Sequence, residues 1–406
     1  MKELFTLGEL YVSDFLKDGE SPRGDKWEMK LMLDENGAVR LEKQPPPNQM
    51  WGEKYWYRSG TNDLMKKQLE NIVQSILDIY KFKQGYIFLD IASNDGTLLS
   101  FVPKEIIRVG IDPCNDSFKQ EAERHADCIL QDYFSSKVYY SRIQYKCNVV
   151  TSISMFYDLS DPSMFIQNIN EVLDQNGLWV CQMSYTPLMI LQMAFDNICH
   201  EHIYYYSLFN FKNLIEKNGF KIMDVQLNDT NGGSFRVYMM KKEGDEKLFG
   251  VQPHRDVCKL RIDSLLQYEK SLKLDSVETW TNFYDDILKL KEETVSFIKN
   301  AKSIGKKIYG YGASTKFNSL LQFFGLDNTM ITAIAERTPY KFGLHTVGTN
   351  IPIISEEQMR IDNPDYLLVG PWFFIQNFIE REQEFLKGGG KFIVPCPKFE
   401  VIGYQS

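Results

Sequence analysis

FLDIASNDGTLL, residues 88–99, decides the fold. An apolar run that begins at Tyr86 ends in Asp90, a tight bend follows, and Gly96 stands where a helix can start. In open α/β sheets ligands lie outside the carboxyl ends of strands, where backbone N–H groups and a helix N-terminus face them. The pattern repeats downstream. IIRVGID (106–112), NVVTSISM (148–155) and GLWVCQM (177–183) are further short apolar runs separated by helical segments. Strands alternating with helices predict a parallel sheet with right-handed crossovers. RVYMMKK (236–242) reads as an antiparallel strand closing the sheet at its edge. Upstream, Asn62 can cap a helix whose Leu69, Ile72, Val73, Ile76 and Tyr80 recur at helical spacing.

A second series of the same kind lies further on: KKIYGYGAS (306–314), MITAIAE (330–336), DYLLVG (365–370) and KFIVPCP (391–397). Between the two series the chain is charged and helical. Residues 1–60 are weakly periodic, and LEKQPPPNQMWGEKYWYRSG (41–60) reads as a loop. The expected organisation is a small N-terminal unit over 1–60, an α/β ligand-binding domain over 61–245, a helical connector over 246–303 and a second Rossmann-like domain over 304–406.

Bulk properties agree with a multidomain globular chain of 406 residues, 43% hydrophobic and 25% charged. The formal charge of −8 argues against nucleic-acid binding, which calls for a basic face. It does not exclude a phosphorylated small molecule, which needs only local positive potential. No apolar run approaches the ~18 residues of a membrane span. The N-terminal MKELFTLGELYVSDFLKDGE meets acidic residues too early for a signal peptide. Seven cysteines without a CxxC pair read as reduced thiols in a cytoplasmic protein. Residues 1–113 hold no Cys and no His, so no N-terminal zinc site is expected.

The bend indicates the cofactor. A dinucleotide pyrophosphate calls for GxGxxG, whereas Ala92-Ser93-Asn94-Asp95-Gly96 has one glycine and a carboxylate. S-adenosylmethionine has no phosphate and carries a cationic sulfonium and an amino group, so acidic residues favour it. Asp90, Ala92, Ser93, Asn94 and Gly96 form the expected cradle. Asp112, ending the next run 22 residues after Asp90, suits two ribose hydroxyls. In QDYFS (131–135), Asp132 can meet an adenine amino group while Tyr133 or Phe134 covers its ring.

LDIASNDGTLL with GIDP, then CHEHIYYYS, NGGSFRVY, GYGASTKFN and GGGKFIVPCP, in that order over roughly residues 50–402, resemble the sugar C-methyltransferases of deoxysugar biosynthesis. The resemblance implies a class I methyltransferase domain and a C-terminal Rossmann-like domain that helps hold a nucleotide sugar. It also implies methylation of a carbon beside a ketone in a nucleoside-diphosphate keto-deoxysugar. This chain departs from the family at two places. The zinc cysteines of the N-terminal unit are absent. The family's Tyr-His-Glu-His is here Cys199-His200-Glu201-His202, so Tyr55 or Tyr57 must replace the missing tyrosine unless it is dispensable.

His200-Glu201-His202 lacks the i, i+4 spacing of a helical metal site, and no third ligand is evident nearby. Acid–base chemistry and a purely structural role are the other readings. Carbon methylation needs a base to remove the proton beside the carbonyl, and His is the usual one. The resemblance assigns that base to His202, with Glu201 beside it. NGGSF offers Asn231, Gly232, Gly233 and Ser234 as oxyanion donors, or simply a hairpin turn. Tyr311, Ser314 and Lys316 at the second glycine turn, with Arg337 and Lys341 after the next strand, could grip a diphosphate. Methylation of an oxygen, and a non-catalytic nucleotide-sugar binder, are the competing functional readings. The sequence does not indicate an oligomeric state.

Overall fold

The computed structural model describes residues 1–35, 37–51 and 57–404. The bend lies at the centre of a seven-stranded sheet. Its order is Phe220–Asn228, Ser234–Lys241, Leu173–Ser184, Cys147–Ile153, Ile87–Ile91, Ile107–Ile111, Cys128–Leu130. Only Ser234–Lys241 runs against its neighbours. All five residues of Ile87–Ile91 are buried, as expected of a parallel strand covered on both faces. Helix Asp63–Ile79 covers one face with Leu69, Ile72, Val73 and Ile76, and the Asn62 carboxamide accepts the Leu64 N–H at 2.9 Å. Ser234–Lys241 is not the edge strand expected from its sequence. Phe220–Asn228 pairs outside it, and all eight residues of Ser234–Lys241 are buried, including Arg236 and Lys241. Both charges are answered inside: Arg236 donates to Gln182, and Lys241 to the carbonyls of Asn170 and Leu173.

The second sheet has the order Ile353–Ser355, Ile334–Glu336, Ile308–Tyr311, Tyr366–Val369, Lys391–Val394, Glu400–Ile402. It is parallel except for Glu400–Ile402. Between the sheets, residues 252–303 form the helices Gln252–Leu272 and Val277–Ser303.

The N-terminal residues are more regular than their sequence suggests. Lys2–Leu10, Trp27–Leu33 and Val39–Leu41 form an antiparallel sheet whose fourth strand, Tyr204–Tyr205, comes from the stretch just after the HEH motif. Phe15–Leu16 pairs with His345–Thr346 of the C-terminal part. Phe5, Leu7, Met29 and Leu31 share one core with Trp280 and Phe283 of the long helix and with Phe317 and Leu321. Each large side chain buried there stabilises by about 1.5–3 kcal/mol, so this small sheet depends on the rest of the chain for its core.

Glu269 carries an equivalent tie for the connector. Buried on helix Gln252–Leu272, it accepts hydrogen bonds from the Tyr185 hydroxyl (2.5 Å) and from the N–H groups of Leu208 (2.5 Å) and Phe209 (2.8 Å) at the start of helix Leu208–Lys217. A buried donor left without an acceptor costs about 1–3 kcal/mol. Glu269→Ala should therefore lower stability by roughly 3 kcal/mol or more, seen as an earlier first transition in chemical denaturation. Glu269→Gln, which keeps an acceptor oxygen, should lose less.

Candidate active site

The bend is built from strained backbone. Ala92, Asn94 and Gly96 all have positive φ (58°, 54° and 76°). A side chain at Gly96 would meet the Ala122 Cα at 2.7 Å, so only glycine fits there. The Asp112 carboxylate fixes the loop. One oxygen accepts the Asn94 N–H (2.7 Å), the other the Cys114 N–H (2.8 Å). Each oxygen retains a further lone-pair site, which leaves room for the ribose contact expected of Asp112. Asp90 is buried and takes the Thr151 hydroxyl at 2.6 Å. Burial, reinforced by Asp112, pushes its carboxyl up to about 7 despite the Thr151 bond. The Ser93 hydroxyl is buried with no hydrogen-bond partner among the described residues. An orphaned hydroxyl beside two carboxylates fits a ligand carrying an ammonium and a sulfonium, and the residues present thus suit S-adenosylmethionine. Asp95 has another role: its oxygens take Thr97 (2.6 Å) and the Gly60 N–H (2.7 Å), while the Asn94 side chain bonds Ser59 and Tyr57. The bend thereby anchors residues 57–60 across its mouth.

Of the ring-covering candidates, Tyr133 is exposed, whereas Phe134 is turned inward, edge-on to Phe165 at 5.3 Å. Tyr133 is therefore the ring available to a ligand. Asp132 is exposed and accepts its neighbour's N–H, from Tyr133, at 2.7 Å.

Past the end of strand Cys147–Ile153 the chain turns through Tyr157 and Asp158 and meets the HEH motif. The two imidazoles have different surroundings. His200 is 1% exposed, and its Nε2 lies 3.4 Å from the Trp27 carbonyl of the N-terminal sheet. Burial drops it to about 4. Its neighbours make it a packing histidine. His202 Nδ1 lies 2.7 Å from the Asn197 carbonyl, and its ring centroid is 4.0 Å from that of Tyr157. A carbonyl can only accept, so Nδ1 carries the hydrogen and Nε2 the free lone pair. Burial first, then Lys316, hold His202 down to about 3. Glu201 and Asp158 are both pushed upward, chiefly by burial. The Cys199 thiol is likewise raised, first by burial and then by Glu201. Tyr57 lies at the rim, 42% exposed, and its backbone oxygen accepts from the Asn94 carboxamide at 3.0 Å. Tyr55 falls outside the described residues.

Tyr157, Asp158 and Asn197 escaped the sequence reading. The signal for the first two was their place just beyond a central strand's carboxyl end. For Asn197 there was none, because it acts partly through its backbone oxygen.

The NGG stretch is a hairpin turn between Phe220–Asn228 and Ser234–Lys241. The Gly233 N–H and the Ser234 hydroxyl both donate to Thr230 O (3.0 and 2.9 Å), so neither is an open oxyanion donor. Asn231 adopts positive φ (52°) in the turn, and Gly232 packs where a side chain would meet Trp372 at 2.9 Å.

The second glycine turn also differs from expectation. Glu336 fills it. One oxygen takes the Ala313 N–H at 2.8 Å, the other the N–H groups of Arg337 (2.8 Å) and Thr338 (3.0 Å). A carboxylate of the chain itself thus sits where a diphosphate would have to approach. Tyr311 is 1% exposed and bonded to Glu382 and Arg381, a core residue and not a binding one. Lys341 is buried on the Ala313 carbonyl at 2.8 Å, and Ser314 caps helix Thr315–Phe324. Arg337 is exposed. Lys316 leaves the turn and donates to Asn197 Oδ1 at 2.6 Å, beside the HEH motif.

Among the described residues, Asp224, His254 and Cys258 are grouped closely enough to consider a metal, with ligand atoms within 4.8 Å of one another. Arg261 already holds both Asp224 oxygens at 2.9 Å. No described helix is long and apolar enough to cross a membrane.

Sheet order, bend and acidic cradle define a class I S-adenosylmethionine-dependent methyltransferase. Residues 62–225 match the family model described as a methyltransferase domain, and residues 229–397 the one described as a C-methyltransferase C-terminal domain. Both parts of the chain are thus similar to methyltransferases, the second to C-methyltransferases, in line with the resemblance drawn from its motifs. The chain is 26% identical over 362 residues to the C-methyltransferase NovU of Streptomyces niveus, covering 89% of this chain and 84% of that one. Among solved structures, magnesium protoporphyrin IX methyltransferase of Synechocystis PCC 6803 with bound SAM is 12% identical, covering 44% of this chain and 82% of that one (TM-score 0.34). A putative S-adenosylmethionine-dependent methyltransferase from Listeria monocytogenes is 14% identical, covering 43% and 99% respectively (TM-score 0.34). Both overlaps are partial and are recorded as similarity alone.

A cation beside Asp90 favours the ionised carboxyl. S-adenosylmethionine affinity should therefore rise as pH increases through about 7, where Asp90 loses its proton. Titration calorimetry on both sides of that value checks this, and Asp90→Asn should bind more weakly and lose that dependence.

Proposed function

We propose that the enzyme methylates a carbon next to the ketone of a nucleoside-diphosphate keto-deoxysugar, with His202 as the base that generates the enolate. The observation that carries this reading is the His202 Nδ1 to Asn197 carbonyl hydrogen bond of 2.7 Å, which leaves Nε2 as a lone pair. That nitrogen has no hydrogen bond among the described residues, and His202 lies next to Tyr157 at the carboxyl end of the sheet.

Burial keeps the imidazole neutral, so it is ready to accept a proton throughout the working pH range. Its weak basicity in the resting site is an obstacle that the reaction itself eases. As the proton moves from carbon to Nε2, an imidazolium and an enolate form side by side, and their attraction is strong where water is excluded. S-adenosylmethionine supplies the electrophilic methyl group when bound. Tyr57, whose backbone oxygen accepts from the Asn94 side chain, is the described one of the two tyrosines offered in place of the family tyrosine at Cys199. Arg337, exposed after strand Ile334–Glu336, remains a candidate for the diphosphate, in contrast to Tyr311 and Lys341.

His202→Ala should reduce turnover by at least about 10²-fold while leaving S-adenosylmethionine affinity nearly unchanged. Solvent deuterium should appear at the sugar carbon with the wild-type enzyme and not with the variant. Methyl transfer without any such exchange, surviving in His202→Ala, would point to an oxygen acceptor instead.

A further inference from the structure

Lys316, from the second glycine turn, reaches into the methyltransferase domain. It starts helix Thr315–Phe324, and its ammonium donates to Asn197 Oδ1 at 2.6 Å. Asn197 is 1% exposed and is held from two further directions. Its Nδ2 donates to the Ala194 carbonyl at 3.0 Å, and Ser184 Oγ donates to its Oδ1 at 3.2 Å. The same residue's backbone oxygen receives the Nδ1–H of His202. Two covalently linked groups of Asn197 therefore join a lysine of the C-terminal domain to an imidazole of the methyltransferase domain.

From this geometry we infer that Lys316 is a positioning residue: by anchoring Asn197 it holds the His202 ring in the tautomer that leaves Nε2 bare. The inference rests on the reading of His202 as the base. It changes the role of the second domain, which delivers a charged group to the reacting end of the site and does not merely contact a nucleotide.

Electrostatics give the arrangement a second effect. Groups near His202 and Lys316 come from several elements: Tyr157 and Asp158 after the central strand, Asp196, Cys199 and Glu201 around the motif, Tyr205 on the added strand, and Arg23 of the N-terminal segment. Lys316 opposes the burial of Asp158, Asp196 and Glu201 and disfavours protonation of His202. Removing the ammonium should therefore let His202 take up a proton at higher pH.

The test does not need a substrate. The chain has five histidines, so histidine-selective ¹⁵N labelling gives a tractable spectrum, with His202 assigned from His202→Gln. In the wild-type protein His202 should remain the neutral Nδ1–H tautomer down to about pH 5. In Lys316→Met it should titrate at least about tenfold higher in proton affinity, one pH unit, with a mixed tautomer. Asn197→Ala should reproduce the loss of tautomer preference, and the double variant should add little to either. Lys316→Arg, which keeps the charge, should restore most of the wild-type titration. Circular dichroism confirms folding, and Lys316→Arg with Asn197→Ala serve if Lys316→Met is unstable.

An unchanged His202 tautomer and titration in folded Lys316→Met would overturn the inference. Deuterium exchange into a thymidine-diphosphate keto-deoxyglucose tests the base reading separately. If His202→Ala keeps exchange and turnover, that reading fails whatever the spectra show. If His202→Ala is inactive and the Lys316→Met spectra match the wild type, only the role of Lys316 is refuted.

Discussion

Charge buried without water must be answered by other charges or by hydrogen bonds, and the seam between the two sheets is organised by that constraint. Asp158, Asp196 and Glu201 belong to loops of the methyltransferase part, and Lys316 belongs to the C-terminal part. The indole N–H of Trp372, also C-terminal, donates to Asp196 at 3.1 Å. Separating the two halves would leave several buried groups without partners. The relative placement of the domains and the geometry around His202 are consequently set by the same interactions.

The N-terminal sheet is bound into the same arrangement. Its fourth strand is Tyr204–Tyr205, immediately after the motif, and His200 packs against Trp27. Where the family has a zinc-stabilised unit, this chain lacks the cysteines and instead shares a hydrophobic core with the long connector helix and the C-terminal domain. Burial of Trp280, Phe283 and the sheet residues stabilises this unit.

The two glycine turns look alike in sequence and differ in use. At the first, Asp112 fastens the bend from the side, Asp90 takes the Thr151 hydroxyl and the Ser93 hydroxyl has no partner among the described residues. At the second, Glu336 accepts the N–H of Ala313. At the helix start itself, the Ser314 hydroxyl accepts the Phe317 N–H at 3.1 Å. That domain brings the Lys316 ammonium to Asn197.

Local patterns in the sequence determined the elements around the first turn. Buried parallel strands read as apolar runs, the Asn62 cap and the helical spacing behind it are short-range, and the acidic bend carries its chemistry in adjacent residues. The class of donor followed from those alone. Tertiary structure decided what depends on distant partners. Arg236 and Lys241 are buried, and Gln182 and two carbonyls answer them. The strands of residues 2–41 were hidden because their fourth member is 163 residues away, from Leu41 to Tyr204. Tyr311 and Lys341 had the chemistry of a phosphate site, but packing enclosed them. The tautomer of His202 depends on a backbone oxygen, a group every residue has, so no side-chain pattern could have announced Asn197.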